Sequence, residues 1–110
     1  MTRLLFLFLD GVGLGADDPA TNPLAAADLP TLTSALGGRR PLANAPRLDT
    51  KAALFIPTDA TLGVAGLPQS ATGQATLLTG RNVSAEIGGH WGPKPNAAVA
   101  GVLRAGSFFH

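Results

Sequence analysis

Six consecutive apolar residues, Leu4-Leu5-Phe6-Leu7-Phe8-Leu9, sit near the start of the chain. A strand with one wet face alternates apolar and polar residues, and a surface helix repeats its apolar residues every three to four positions. A run with no polar interruption suits a strand buried on both faces, as in a parallel sheet covered by helices. The run therefore predicts a strand over residues 3–9. It ends in Asp10-Gly11-Val12-Gly13-Leu14-Gly15. Glycine at alternate positions gives a loop whose backbone can approach a ligand closely. Met1-Thr2-Arg3 followed by apolar residues has the outline of a secretory leader. The run is too short for that purpose, however, and Asp10 cuts it off.

The remainder of the chain alternates turn signals with short periodic stretches. Residues 16–27 carry Asp17-Asp18-Pro19 and Asn22-Pro23 and read as loop. Asp28-Leu29-Pro30 opens a helix expected to reach Leu36 and stop at Gly37-Gly38. Residues 39–50 read as an irregular connection. Ala52 to Ile56 reads as a strand closed by Pro57, and residues 58–69 as a loop in which Asp59 is a turn residue. A helix follows Ser70 to Thr79, capped by Gly80. Residues 81–95 read as a Gly- and Pro-rich loop. Asn96 offers an N-cap to a helix over Ala97 to Ala105, closed by Gly106. Ser107-Phe108-Phe109-His110 reads as a strand just beginning.

Strands alternating with helices imply an α/β fold, here an incomplete, mainly parallel sheet flanked by helices. Two strands and the start of a third cannot bury both faces of such a sheet. The expectation is that residues 1–110 are the N-terminal part of one larger domain.

Composition narrows the partners. With a net charge of +1 and scattered Lys and Arg, the chain has no basic stripe for nucleic acid or an anionic membrane. No segment is long enough to cross a bilayer. Cysteine is absent, which removes disulfide scaffolds and thiolate metal sites and fits a cytoplasmic setting. The hydrophobic share of 45% against 14% charged residues describes a chain that folds around buried surface.

Two places can carry chemistry. Asp10 follows the carboxyl end of the first expected strand, where open α/β sheets bind ligands. A carboxylate there suits a divalent cation, and it equally suits a turn stabilised through its own backbone. Gly11-Val12-Gly13-Leu14-Gly15-Ala16 also fits the loose dinucleotide pattern, giving a Rossmann-like nucleotide-binding alternative. That reading requires a helix opening on these residues, whereas Asp17-Asp18-Pro19 follows. The second place is Ser70, within Gly66-Leu67-Pro68-Gln69-Ser70-Ala71-Thr72-Gly73-Gln74. A serine at a helix start faces backbone N–H groups and the positive end of the helix dipole, which favour an alkoxide and an arriving phosphoryl group. A plain N-cap is the alternative. No Ser-His-Asp order or G-x-S-x-G elbow is legible, so activation of the hydroxyl falls to a base or a metal.

Phe8-Leu9-Asp10-Gly11-Val12-Gly13 resembles the opening strand and metal-binding Asp-Gly of the alkaline phosphatase superfamily, in the branch of cofactor-independent phosphoglycerate mutase and phosphopentomutase. Gly66-Leu67-Pro68 with Ser70-Ala71-Thr72-Gly73-Gln74 is similar to the nucleophile segment of that branch, and Leu77-Leu78-Thr79-Gly80-Arg81-Asn82 to the helix end that follows it. The motifs stand in the family's order and cover roughly residues 3–15 and 59–82. The whole looks most like the branch's metalloenzyme domain proteins.

The resemblance implies a phosphate-ester hydrolase working with two divalent ions, Mn or Zn, on a small phosphorylated substrate. In that scheme Asp10 and Ser70 are ligands of one ion. Ser70 attacks phosphorus, and the phosphoserine is opened by water, or by an acceptor hydroxyl in a phosphomutase. The remaining Asp and His ligands belong to the family's C-terminal part, so these residues alone are expected to be inactive. Gln74 stands where the mutases usually carry His, which favours the hydrolase. Thr72 and Gln74 are expected to flank the phosphate. His90, in Gly88-Gly89-His90-Trp91-Gly92-Pro93, is either a substrate contact or a structural group.

Overall fold

The computed structural model describes residues 2–109 and divides the chain into two compact units, Met1–Thr58 and Asp59–His110. His110 therefore lies outside the described residues. In the first unit the apolar run is not a strand. Residues 2–9 are irregular, and Leu4, Leu5 and Leu7 are 91%, 88% and 74% exposed. The expectation of a buried strand over 3–9 is thus corrected. An uninterrupted apolar run predicts a demand for burial, but a strand forms only where a neighbour pairs its backbone groups.

Beyond the Gly-rich segment, Asp18 builds a turn. Its carboxylate accepts from the Ala20 amide at 3.0 Å and the Thr21 hydroxyl at 2.7 Å. These donors hold the Asp18 carboxyl below the usual Asp range. The turn delivers Asn22, which caps α1 (Pro23–Ala26) by accepting from the Leu24 amide at 3.1 Å. The Asn22 amide nitrogen reaches back to the Ala16 carbonyl at 2.7 Å. Gly15 is required beside it, since a Cβ there would stand 2.8 Å from the Asn22 side chain.

Helix α2 (Pro30–Ala35) begins on proline, as its sequence predicts, and ends before Gly37 and Gly38, both at positive φ. Strands β1 (Leu48–Asp49) and β2 (Leu54–Phe55) pair antiparallel, Leu48 with Phe55 and Asp49 with Leu54. Thr50 hooks this hairpin to α2 by donating its hydroxyl to the Ala35 carbonyl at 2.7 Å. The strand expected over 52–56 is therefore shorter and lies in a hairpin. This two-stranded antiparallel sheet is the only sheet among the described residues. Ala25, Leu36, Pro41 and Leu42 are the buried apolar side chains among the described residues of this unit.

The second unit is helical. Helices α3 (Ser70–Thr79), α4 (Val83–Ile87) and α5 (Ala97–Ala105) pack around Ala71, Ala75, Val83 and Val99, with Ile87, Val102 and Leu103 at the margin. Ala71 and Ala75, four residues apart on α3, present a small face that lets neighbouring helices approach closely. The ends of α3, α4 and α5, apart from the start of α3, have local causes. Gly80 and Gly88 take the left-handed conformation after α3 and α4, and Asn82 and Asn96 cap α4 and α5 through their side chains. Arg81 pairs with Glu86 across the start of α4. Helix α4 lies in the stretch read as loop from the sequence. The strand expected at the end of the chain is instead a turn at Phe108 and Phe109. Among the described residues, no helix is long and apolar enough to cross a membrane.

Candidate functional site

Ser70 is the first residue of α3, and Gln69 rather than Ser70 is the N-cap. The Gln69 side chain makes no capping hydrogen bond. A helix start must still satisfy its first amides, and here a distant loop contributes. The Thr72 amide donates to the Trp91 carbonyl at 3.0 Å, and the Trp91 amide donates to the Thr72 hydroxyl at 3.2 Å. Thr72 is fully buried, so its hydroxyl is committed to this junction. Gln74, one turn beyond Ser70, is exposed on α3.

His90 holds the same loop from its other side. Its Nε2 stands 3.1 Å from the Val64 carbonyl, and its Nδ1 stands 3.1 Å from the Ser84 hydroxyl. A carbonyl only accepts, so in the neutral ring Nε2 carries the proton and Nδ1 accepts from Ser84. Ser84 is 1% exposed. Val64 precedes the Gly66-Leu67-Pro68 segment, which Asn82 also anchors by donating to the Leu62 carbonyl at 2.9 Å. The structure thus gathers Ser70, Thr72, His90, Trp91 and Gly92 at one end of α3. Trp91 and Gly92 were not legible as site residues. The Gly-Gly-His-Trp-Gly-Pro run was the signal available, but only the fold shows what it touches.

Asp10 belongs to the first unit. It stands in an exposed turn with Gly11, whose φ is +71°. No helix opens on Gly11 to Ala16, and the first helix begins at Pro23. The dinucleotide pattern therefore lacks the helix N-terminus that receives a pyrophosphate, and the nucleotide-binding alternative loses its structural requirement. Among the described residues, no three His, Cys, Asp or Glu side chains group together.

Asp59 is a turn residue, as its sequence context predicts. The Thr61 hydroxyl donates to its carboxylate at 2.7 Å and the Thr61 amide at 2.9 Å. The hydroxyl, followed by the amide, holds the Asp59 carboxyl below the usual Asp value. A depressed folded-state pKa means that the turn's contribution is complete at neutral pH and disappears as pH falls through that lowered value. A carbon-detected NMR titration is expected to place the Asp59 midpoint below that of an unstructured Asp, and Thr61→Ala to raise it. An unchanged midpoint in Thr61→Ala would exclude the hydroxyl's hydrogen bond as the main cause.

No protein-family model, no curated protein sequence and no solved structure matches this chain.

Proposed function

We propose that this chain is the N-terminal part of a metal-dependent phosphate-ester hydrolase, with Ser70 as nucleophile and Asp10 as a ligand of the divalent cation. The observation that carries the reading is the position of Ser70 as the first residue of a ten-residue helix, within the Gly66 to Gln74 motif and downstream of the Asp10-Gly11 motif. A helix N-terminus concentrates partial positive charge and favours a phosphoryl group at that end.

The donors fit a hard or borderline cation in kind, since a carboxylate and a hydroxyl both offer oxygen. They do not suffice in number, because such sites take four or more ligands. The superfamily resemblance assigns the others to Asp and His residues C-terminal to this segment. When bound, a divalent cation favours the deprotonated hydroxyl and offsets charge on phosphoryl oxygens.

In the proposed reaction the Ser70 hydroxyl gives up its proton to solvent, and its oxygen forms a bond to phosphorus as the ester P–O bond breaks. The alcohol leaves with a proton from solvent. Water then opens the phosphoserine, releasing phosphate and returning the Ser70 hydroxyl. Transfer to an acceptor hydroxyl would make the enzyme a phosphomutase, and Gln74, in place of the mutases' His, favours hydrolysis. Two Mn or Zn ions, a small phosphorylated substrate and a cytoplasmic setting complete the proposal, with no role for nucleic acid or membrane.

The test is to trap the intermediate. Full-length protein is incubated with Mn²⁺ and p-nitrophenyl phosphate, quenched in acid and digested. Mass spectrometry is expected to find one phosphoryl group on the peptide containing Ser70, and none when the metal is chelated beforehand. Turnover that persists under chelation, or that leaves Ser70 unmodified at every quench time, contradicts the proposal.

A further inference from the structure

We infer that the loop His90–Gly92 is the positioning element of the Ser70 site, and that Gly92 is glycine because its backbone lies against Ser70. The inference rests on Ser70 being the nucleophile. Its geometric basis is independent of that assignment.

A Cβ built on Gly92 would stand 3.0 Å from the Ser70 backbone nitrogen, 3.1 Å from Gln69 Cβ and 3.2 Å from Gln69 Oε1. The nearest of these atoms is backbone and cannot swing aside as a side-chain tip can. Gly92 is not at positive φ, so the requirement for glycine is the space taken by Ser70 and Gln69 and not the local dihedral. One residue earlier, Trp91 exchanges hydrogen bonds with Thr72, two residues beyond Ser70. One residue earlier again, His90 is fastened at both ring nitrogens, to Val64 ahead of the nucleophile segment and to Ser84 on α4. Trp91 and Gly92 therefore meet the first turn of α3 from one side, and His90 fastens the loop that carries them.

The chemical consequence concerns the Ser70 oxygen. In-line attack needs that atom held within a fraction of an ångström, because misplacement by about 1 Å costs about 100-fold in rate. The first turn is where helices fray, so contacts from outside the helix matter there. The loop supplies such contacts through Trp91 and Gly92. His90 acts here as a positioning residue, because both of its ring nitrogens are engaged within the protein.

The experiment compares kcat and KM for p-nitrophenyl phosphate in the full-length protein with Mn²⁺. An added Cβ at 3.0 Å asks its neighbours to give by a few tenths of an ångström, so Gly92→Ala is expected to lower kcat by about 5-fold with KM within about 2-fold of wild type. Gly89→Ala is the control. It lies in the same loop at an ordinary φ, with nothing within 4 Å of its added Cβ, and it is expected to keep wild-type kcat. Thr72→Val removes the hydroxyl that meets Trp91 and is expected to lower kcat about 10-fold, with Thr72→Ser restoring most of it.

A folded Gly92→Ala protein with wild-type kcat overturns the inference. If Gly92→Ala does not fold, equal kcat in Thr72→Val and Thr72→Ser overturns it. A Ser70→Ala arm separates the two levels. Loss of turnover there alongside a normal Gly92→Ala sinks the positioning role alone, whereas turnover retained in Ser70→Ala sinks the nucleophile and this inference together.

Discussion

Replacing Ser70 by alanine in the full-length protein is expected to lower kcat for a phosphate monoester by about 10⁴-fold or more, with KM close to wild type. The size follows from chemistry. Removing a covalent nucleophile leaves only binding and electrostatic stabilisation, neither of which replaces the lost bond-forming atom. The variant is informative because the helix itself tolerates it. Ser70 is not the N-cap of α3, so alanine there forfeits no capping side chain, and alanine is the best helix former. Far-ultraviolet circular dichroism is therefore expected to match wild type while turnover collapses. A loss of less than about 10-fold in a folded Ser70→Ala protein would return Ser70 to the role of an ordinary helix-end residue.

The contrast between Ser70 and its surroundings shows what the sequence made legible. The order and spacing of residues 66–80 announced a helix with something at its start, and α3 runs from Ser70 to Thr79. Helix α5 was legible to its ends because both signals are local: Asn96 caps Val99 and Gly106 terminates the run. Helix α4 was not, although Asn82 and Gly88 are equally local signals. Its five residues are too few to show a periodic apolar face, and its stability comes from burying Val83 and Ser84 against other elements.

The same distinction explains His90. Its residue type permitted either role, and its two partners lie 26 and 6 residues away in the chain. No local pattern encodes that arrangement. Gly92 is the extreme case, since its reason for being glycine is a close approach to a backbone more than twenty residues earlier. The run Leu4 to Leu9 fails in the opposite sense. Its sequence states a demand for burial, and its own unit leaves those residues exposed. Demand for burial is a property of the residues, whereas pairing is a property of neighbours.

Val99→Asp is expected to unfold the second unit, with loss of helical circular dichroism at 25 °C or a fall in Tm of more than about 15 °C. Val99 is completely buried among Ala71, Ala75 and Val83, where α3, α4 and α5 meet. A unit of this size holds only about 3–8 kcal/mol of net stability. Truncation to alanine at such a position costs about 2 kcal/mol through lost apolar contact and a partly relaxed cavity. A carboxylate costs more, because an unpaired buried charge loses its hydration and gains nothing in return. The core here is built almost wholly of small side chains, so it has little freedom to turn a polar partner inward. Ala98→Asp provides the counterpart, one residue earlier on the same helix. Ala98 is exposed in the first turn of α5, where a negative charge faces the positive end of the dipole. Its Tm is expected to stay within about 4 °C of wild type or to rise. The Val99→Asp defect should also ease at acid pH. Burial raises the folded-state pKa of the new carboxyl, so its penalty is largest above that value and shrinks as the group is neutralised. A Val99→Asp protein that melts like wild type at neutral pH would mean that the three helices do not share this core.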